Sequence, residues 1–386
     1  MKKIITRGTY AAAEAVRLAD VDVVAAYPIT PQTECVEKIA EFIANGELDA
    51  EYIRVESEHS AISALVGASA AGARTFTATA SQGLALMHEI LYIASGLRLP
   101  IVMANVNRAL SAPINIWCDH QDSISERDTG WIQFYAESCQ EVFDLVLQAF
   151  RIAEDKDVLL PVMVNLDGFI LSHTYEPIEM PENDEAKEFV GVYEPPHYCL
   201  NPDNPVTVGS VGVPECYMET RKQLNDAIEN SRKVIKKVHK EYANRFGRVY
   251  DFVETYNLEN ADTVLVAMGS VCGTIKYVIS KLKEKGIVNV GLLKISCYRP
   301  FPKEEVKKYL KDVENIAVLD KNVCFGFDMG SLGLDITATL RKYDNKICNY
   351  IVGLGGRDIK IEDINKIIED VQKAKDDKTE WIGLLE

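Results

Sequence analysis

The chain of 386 residues is too long for one ordinary hydrophobic core, so we expect two or three domains. Apolar residues make up 47% of it and charged residues 26%, as in globular proteins, which argues against disorder. The formal net charge of −16 disfavours nucleic-acid binding, because phosphates require a basic face. Residues 1–8 lack the apolar run of a signal peptide, and Arg98 and Pro100 interrupt the apolar stretch 92–106, so no membrane span is expected. By elimination, the sequence predicts a cytoplasmic protein.

The nine cysteines have none of the spacings that mark a metal site or a disulfide framework. No two form a C-x-x-C pair and their number is odd, which argues against zinc, ferredoxin-type and disulfide patterns. We therefore expect reduced and mostly buried thiols. If the protein takes part in electron transfer, its iron–sulfur clusters are expected on another chain.

The first part of the chain alternates short strands rich in β-branched residues with helices. The predicted strands are residues 23–26, 52–55, 75–80, 100–106 and 160–165, and the predicted helices are 35–44, 60–71, 84–94 and 141–153. This alternation is typical of a parallel sheet covered by helices on both faces. Ligands of such sheets bind beyond the carboxyl ends of the strands, so we expect the chemistry in the loops that follow them.

Two prolines restrict the loop after the first predicted strand. Pro28 and Pro31 fix the backbone and disfavour helix in the residues before them. The loop is therefore expected to present the Thr30 hydroxyl, next to Ile29, on a rigid turn. Alternatively, Thr30 or Thr33 only caps the helix that follows. The residues alone leave both interpretations open.

An acidic residue, Glu58, opens the helix after the second predicted strand. Small residues such as Ala61, Ala64 and Gly67 follow it and leave room for another backbone or a cofactor. In one interpretation Ser57 caps this helix and Glu58 merely favours its N-terminal dipole. In the other, Glu58 is partly buried in an apolar setting, where a carboxyl group can share a proton with a ring nitrogen.

Arg108 follows the fourth predicted strand directly. It is a natural clamp for a substrate carboxylate, because guanidinium binds carboxylate in a two-point fork. Asp119, His120 and Asp122 come soon after it and could ligate a metal. Such clusters more often order a loop, so no metal site is predicted in this chain.

The pattern changes between about residues 169 and 260. A proline-rich segment, 177–214, suggests a long irregular excursion, and residues 215–250 predict one long charged helix. Its basic stripe consists of Arg232, Lys233, Lys236, Lys237 and Lys240. The stripe is either a solvated face or an interface with an acidic partner.

A second α/β unit begins near residue 261. Its predicted strands are 263–268, 288–293, 316–319 and 347–352, and its predicted helices are 274–285, 303–310 and 330–342. The glycine-rich residues 353–356 follow a strand and could cradle a phosphate. Their spacing misses both the Rossmann and the P-loop patterns, which favours a structural turn.

Four short motifs occur in a fixed order in the first part of the chain. They are Tyr27-Pro28-Ile29-Thr30-Pro31, Glu56-Ser57-Glu58, Ala80-Ser81-Gln82-Gly83 and Asp119-His120-Gln121-Asp122. Together they resemble the alpha chains of the 2-oxoacid:ferredoxin oxidoreductases, and residues 294–302 fit the same family. The stretch 109–117 is most similar to the pyruvate-specific branch.

The resemblance implies an α/β fold in three parts. Residues 1–175 would form the parallel-sheet domain that binds the pyrimidine half of thiamine diphosphate. Residues 176–260 would form a linker or an interface strap. Residues 261–386 would form a smaller α/β domain like the transketolase C-terminal domain.

The resemblance also implies roles for individual residues. Glu58 would hydrogen-bond the pyrimidine N1′ of the cofactor, and Pro28, Ile29 and Thr30 would lie beside that ring. Thr30 and Arg108 would bind the 2-oxoacid. The chain lacks the Gly-Asp-Gly…Asn pattern that holds magnesium and the diphosphate, so this half of the site would belong to a partner.

The implied enzyme has beta, gamma and delta subunits besides this chain. The beta subunit would carry magnesium and one [4Fe-4S] cluster, and the delta subunit would resemble a two-cluster ferredoxin. The implied reaction converts pyruvate, coenzyme A and oxidised ferredoxin to acetyl-CoA, carbon dioxide and reduced ferredoxin. Three alternatives stay open: the same chemistry on 2-oxoisovalerate or 2-oxoglutarate, a non-catalytic scaffold subunit, and a decarboxylase without electron transfer.

Overall fold

The computed structural model describes residues 1–385. Its strands are β1 (Lys2–Thr6), β2 (Val23–Ala26), β3 (Glu51–Arg54), β4 (Thr75–Thr79), β5 (Val102–Asn107), β6 (Ile132–Tyr135), β7 (Val162–Asp167), β8 (Glu176–Met180), β9 (Val253–Tyr256), β10 (Thr263–Ala267), β11 (Val290–Ile295), β12 (Cys297–Arg299), β13 (Asn315–Asp320), β14 (Lys346–Ile351) and β15 (Lys378–Trp381). Its α-helices are α1 (Gly8–Leu18), α2 (Thr33–Ala44), α3 (Glu58–Ala70), α4 (Ser81–Gly96), α5 (Gln121–Ser125), α6 (Cys139–Ala153), α7 (Asn183–Val190), α8 (Pro214–Phe246), α9 (Val271–Glu284), α10 (Lys303–Leu310), α11 (Ser331–Leu340) and α12 (Ile361–Lys373).

The first sheet has the strand order β12-β6-β7-β5-β4-β2-β3. Its strands from β6 to β3 are parallel, and β12 pairs antiparallel with β6 at one edge. Helices α1, α2 and α6 share one core cluster with the sheet, and α3 and α4 share another. Because both faces are covered, every residue of β4, β5, β6 and β7 is buried.

The second sheet has the order β15-β14-β13-β10-β11-β9, with β9 antiparallel to β11 and the other neighbours parallel. The predicted α/β architecture is thus confirmed. The two sheets are linked, because β12 belongs to the second part of the chain but joins the first sheet. The division at residues 175 and 260 stays a prediction.

Helix α8 runs for 33 residues, close to the predicted helix 215–250. Pro214 lies in its first turn, and Gly247 ends it with a φ of 76°, a left-handed conformation that favours glycine. Its buried residues Val234, Ile235 and Val238 follow helical spacing and pack on the core that contains α6.

The predicted irregular excursion 177–214 is only partly irregular. Strand β8 pairs with β1 in a two-stranded antiparallel sheet, and α7 follows it. No helix within residues 1–385 is both long and apolar enough to cross a bilayer.

Candidate functional site

The sequence-predicted site residues lie at one edge of the first sheet. Thr30 follows β2, Glu58 follows β3 and Arg108 follows β5. These strands are parallel and lie close together in the order β5-β4-β2-β3, so their carboxyl ends form one rim. Ser81, the first residue of α4, occupies the same rim after β4.

Glu58 is only 8% exposed although it opens a helix. Ser57 caps that helix, since its Oγ accepts a hydrogen bond from the Ser60 N–H. The Glu58 carboxylate lies over Gly83 in the first turn of α4, where a Cβ would come within 2.7 Å of Glu58 Oε1. Within residues 1–385 no group hydrogen-bonds this carboxylate. A nearly buried, unpaired carboxylate therefore faces the rim.

The structure brings Arg108 and Thr30 together. Nη1 of Arg108 donates to the Thr30 carbonyl at 2.9 Å, and its Nε donates to the Asn115 carbonyl at 2.9 Å. These two hydrogen bonds hold the guanidinium in place, and Arg108 as a whole residue is only 7% exposed. Thr30 itself is exposed and caps no helix, because α2 begins at Thr33 with Gln32 at its N-cap. Its hydroxyl is thus free for a ligand.

A residue that sequence reasoning treated as loop-ordering, Asp122, joins the loops of the rim. Its Oδ2 accepts hydrogen bonds from the backbone N–H groups of Ser81 and Arg108, both at 3.0 Å. Its Oδ1 accepts from Asn107 Nδ2 at 2.9 Å. Burial raises the pKa of Asp122, and these hydrogen bonds oppose the rise. The carboxylate fixes the backbone of Arg108.

Asp119 and His120 have partners other than those of Asp122. Asp119 Oδ2 accepts from the Gly355 N–H at 3.1 Å. Burial, together with the charge of Asp122, raises the pKa of Asp119 to about 6. His120 Nε2 lies 2.7 Å from Asp167 Oδ1. The three residues of this motif thus have separate partners instead of a shared ligand position.

Cys118, His120 and Asp167 are close enough together to bind a metal ion. The Nζ of Lys321 lies 2.9 Å from Asp167 Oδ2 and 3.2 Å from Cys118 Sγ. Burial opposes ionisation of Asp167, but the charges of Lys321 and His120 outweigh it and hold its pKa well below the usual range. The ammonium group therefore fills the cation position of this cluster.

The glycine-rich residues 353–356 contact protein, not an open phosphate position. The Gly355 N–H donates to Asp119, and the Gly356 N–H donates to the Cys118 carbonyl at 2.7 Å. A Cβ at Gly356 would lie 2.3 Å from the Trp117 Cβ, so the close approach requires glycine. These contacts support the structural-turn interpretation.

Sequence reasoning missed Gly83 and Asp167. Gly83 belongs to a quoted motif, but its contact with Glu58 depends on two helices that meet only in the fold. Asp167 ends β7 on the same rim as Arg108, a position that the strand pattern could have flagged. Six of the nine cysteines are buried, as predicted.

Residues 14–240 match the model "Pyruvate flavodoxin/ferredoxin oxidoreductase, thiamine diP-bdg", and residues 261–364 match "Pyruvate:ferredoxin oxidoreductase core domain II". The chain is 68% identical to pyruvate synthase subunit PorA of Methanocaldococcus jannaschii, covering 100% of this chain and 98% of that protein. It is 53% identical to the PorA subunit of Pyrococcus furiosus, with 98% and 97% covered. It is 49% identical to ketoisovalerate oxidoreductase subunit VorA of Pyrococcus horikoshii, with 100% and 98% covered.

Two solved structures support the fold prediction. A 2-oxoglutarate:ferredoxin oxidoreductase from Magnetococcus marinus, with 2-oxoglutarate, coenzyme A and succinyl-CoA bound, aligns with a TM-score of 0.73 at 19% identity. The alignment covers 96% of this chain and 65% of that longer one. A split-gene transketolase, described as an inactive beta4 tetramer, aligns with a TM-score of 0.55 at 12% identity, with 95% and 97% covered. The predicted thiamine-diphosphate fold and family resemblance are confirmed, and the chain belongs to the pyruvate flavodoxin/ferredoxin oxidoreductase family.

Proposed function

We propose that this chain is the subunit of a pyruvate:ferredoxin oxidoreductase that holds the pyrimidine half of thiamine diphosphate and the 2-oxoacid. The observation that carries the proposal is the unpaired Glu58 carboxylate on the rim that also presents Arg108 and Thr30. The reaction would convert pyruvate and coenzyme A to acetyl-CoA and carbon dioxide, with reduction of ferredoxin.

The residues on the rim fit the pyrimidine half of the cofactor. The Glu58 carboxylate has no hydrogen-bond partner within residues 1–385. It lies over the Cα of Gly83, in the space that a side chain at position 83 would fill. The Thr79 hydroxyl borders the same space and is buried without a hydrogen-bond partner in the described part of the chain. A ring with donor and acceptor nitrogens would satisfy both groups. Pro28 and Ile29 follow β2 on the neighbouring loop and would flank that ring.

Each side chain would have a distinct task. When bound, thiamine diphosphate supplies the nucleophile that attacks the 2-oxo carbon. Glu58 would hold or release a proton at the ring nitrogen N1′. Arg108 would pair with the substrate carboxylate through the edge of its guanidinium that includes Nη2. Its Nε and Nη1 already donate hydrogen bonds to backbone carbonyls. The Thr30 hydroxyl would donate to the same end of the substrate.

The relatives are named as subunits, so the chain is expected to work in an assembly. We propose that magnesium and the [4Fe-4S] clusters are carried by beta and delta subunits, that a gamma subunit completes the enzyme, and that ferredoxin accepts the electrons. Supporting this division, the chain has neither a diphosphate motif nor cluster-forming cysteine spacings. Nine free cysteines also suit the reducing environment of the cytoplasm, the proposed location.

The test of the half-site is Glu58→Gln in the assembled enzyme. Turnover should fall by about 10²–10⁴-fold, the usual contribution of a general acid–base group, while subunit assembly is unchanged. Glu56→Gln is the matched control, because Glu56 is exposed two residues away and accepts a hydrogen bond only from the Ser60 hydroxyl. A Glu58→Gln enzyme with full turnover would instead support a non-catalytic scaffold subunit.

The second candidate substrate is 2-oxoisovalerate, because a ketoisovalerate oxidoreductase subunit is among the relatives at 49% identity. The relative at 68% identity is a pyruvate synthase subunit, which favours pyruvate. Steady-state rates of the assembled enzyme with pyruvate, 2-oxoisovalerate and 2-oxoglutarate separate these substrates. A higher kcat/KM for either of the latter two would overturn the assignment to pyruvate.

A further inference from the structure

A cleft of about 620 Å³ lies between α8 and the segment 299–303. Trp131, which borders it, directly precedes β6. The cleft therefore opens near the amino ends of the parallel strands, whereas Glu58 and Arg108 lie at the carboxyl ends. It is separate from the candidate active site, and its volume is in the range of small-molecule sites.

The cleft has an excess of positive charge in a chain whose net charge is −16. Its cationic residues are Arg127, Arg221, Arg232, Arg299 and Lys303. Acidic side chains of the same cleft lie 2.9 Å from Arg232, 3.0 Å from Arg299 and 3.8 Å from Arg127. Arg221 and Lys303 have no acidic partner in the part of the chain that the structure describes. Two cations are therefore left without a counter-charge.

Arg221 is held in place while its two terminal nitrogens stay free. Its Nε donates to the Tyr217 hydroxyl at 2.9 Å. Its guanidinium carbon lies 5.2 Å from the ring centre of Tyr217 and 5.7 Å from that of Tyr92. Neither terminal nitrogen has a hydrogen-bond partner within residues 1–385. A guanidinium fixed between two rings, with its terminal fork open, suits a phosphate group.

Part of the remaining wall of the cleft is apolar. Leu224, Ile228 and Phe301 line it, beside the half-exposed ring of Tyr217. An apolar wall with an exposed aromatic ring suits a planar heterocycle, which can stack on the ring at little entropic cost. Phosphate-binding cations and a ring-binding wall in one cleft together match a nucleotide.

We propose that this cleft binds a nucleotide-type ligand, whose phosphates contact Arg221 and Lys303 and whose base stacks on Tyr217. The cleft also borders the basic stripe of α8, through Arg232. An acidic partner protein is the competing occupant. It would cover the cleft when the enzyme assembles, whereas a nucleotide would bind to the assembled enzyme.

The test is calorimetric titration of the full-length chain and of the assembled enzyme with ATP, pyrophosphate and adenosine. We expect saturable binding of ATP to both, weaker binding of pyrophosphate, and none of adenosine. Arg221→Met and Lys303→Met should each raise the Kd for ATP about tenfold or more. Tyr217→Ala should weaken the binding of ATP more than that of pyrophosphate, because it removes the stacking surface as well as a support of Arg221.

Lys222→Met is the matched control, because Lys222 is the neighbour of Arg221 but lies outside the cleft and pairs with Asp226. It should bind ATP as the wild type does. Three results would each overturn the proposal: no saturable binding to the wild type, equal affinity in Arg221→Met and the wild type, or binding to the isolated chain that the assembled enzyme lacks. The third result would assign the cleft to a subunit interface.

Discussion

The position of the Glu58 carboxylate depends on the absence of a side chain at Gly83. A Cβ there would lie 2.7 Å from Glu58 Oε1 and 2.6 Å from Thr79 Oγ1, well inside van der Waals contact. Gly83→Ala should therefore displace Glu58 and lower turnover of the assembled enzyme by about 10²-fold, even though alanine favours a helix. The control is Gly96→Ala in the same helix, where a Cβ meets nothing within 4 Å. Equal activity in the two variants would contradict the role proposed for Glu58.

Asp119 makes the stability of the chain depend on pH. Burial first, and the Asp122 charge second, raise the pKa of Asp119 to about 6. The folded state thus binds a proton that the unfolded state has already released, so stability falls as the pH rises from about 4 to about 6. The two-unit shift corresponds to roughly 2–3 kcal/mol. The check is thermal unfolding of Asp119→Asn between about pH 4 and about pH 6, where the variant should not show this loss of stability. If the stability of the variant and of the wild type fell equally with pH, the effect could not be assigned to Asp119.

The positions of the candidate site residues in the fold could be predicted from the strand pattern, whereas their roles stay a prediction. Thr30, Glu58 and Arg108 each follow a short apolar strand, and parallel strands bring such positions to one rim. It could not locate Asp122 as the residue that joins the loops, because its donors come from segments up to 41 residues away. A carboxylate whose partners are backbone N–H groups has no signature in sequence spacing.

At the scale of elements, α8 and the residues after it are held to α6 by one buried carboxylate. Asp144 on α6 is fully buried, and its oxygens lie 2.5 Å from the hydroxyls of Tyr242 and Tyr250. Arg248 Nε donates to the same carboxylate at 2.5 Å. These contacts come from both sides of the helix end at Gly247, so they fix where the chain leaves α8.

Asp144→Asn should therefore destabilise the chain strongly. It keeps the shape of the side chain but removes the charge opposite Arg248. It also places an amide N–H₂ group among groups that are themselves hydrogen-bond donors. We expect a loss of about 2–4 kcal/mol in the free energy of unfolding, measured by urea denaturation. Asp226→Asn on α8 is the control, because its ion pair with Lys222 is exposed; its effect should stay within about 0.5 kcal/mol.

Periodicity alone does not separate the elements that were predicted from those that were missed. Helix α12 was missed although its buried residues Ile364, Ile367, Ile368 and Val371 follow helical spacing. The predicted strand 23–26 and helix 303–310 match β2 and α10. Strand β12, with three residues, is too short for an alternating pattern to appear. Strand β6 was missed although it is as long as β2. The pairing of β12 with β6 joins residues more than 160 positions apart, so only the fold reveals it.

At the scale of the whole molecule, a buried polar network joins the two parts of the chain. Asp167, at the end of β7, accepts hydrogen bonds from Lys321 after β13 and from the Ser270 N–H before α9. Asp119 accepts from Gly355, and β12 extends the first sheet. Asp167 lies opposite Asn107, the residue before Arg108, in the pairing of β5 with β7, so the second part of the chain supports the position of the rim.

The ion pair of Lys321 and Asp167 carries most of the charge in this network, and its loss should be felt across the whole chain. Lys321→Met leaves the fully buried Asp167 carboxylate without its cation, which typically costs about 3–5 kcal/mol. Because Lys321 helps to hold the pKa of Asp167 well below its usual range, the stabilisation is present above about pH 4 and is lost as the pH falls through the folded-state pKa. Urea denaturation at pH 7 should show the full loss, and the difference from the wild type should shrink in acid.

Lys366→Met, which breaks an exposed pair with Glu380 at 3.6 Å, should change stability by no more than about 0.5 kcal/mol. If Lys321→Met behaved like Lys366→Met, the two parts of the chain would be held together by apolar packing and strand pairing alone.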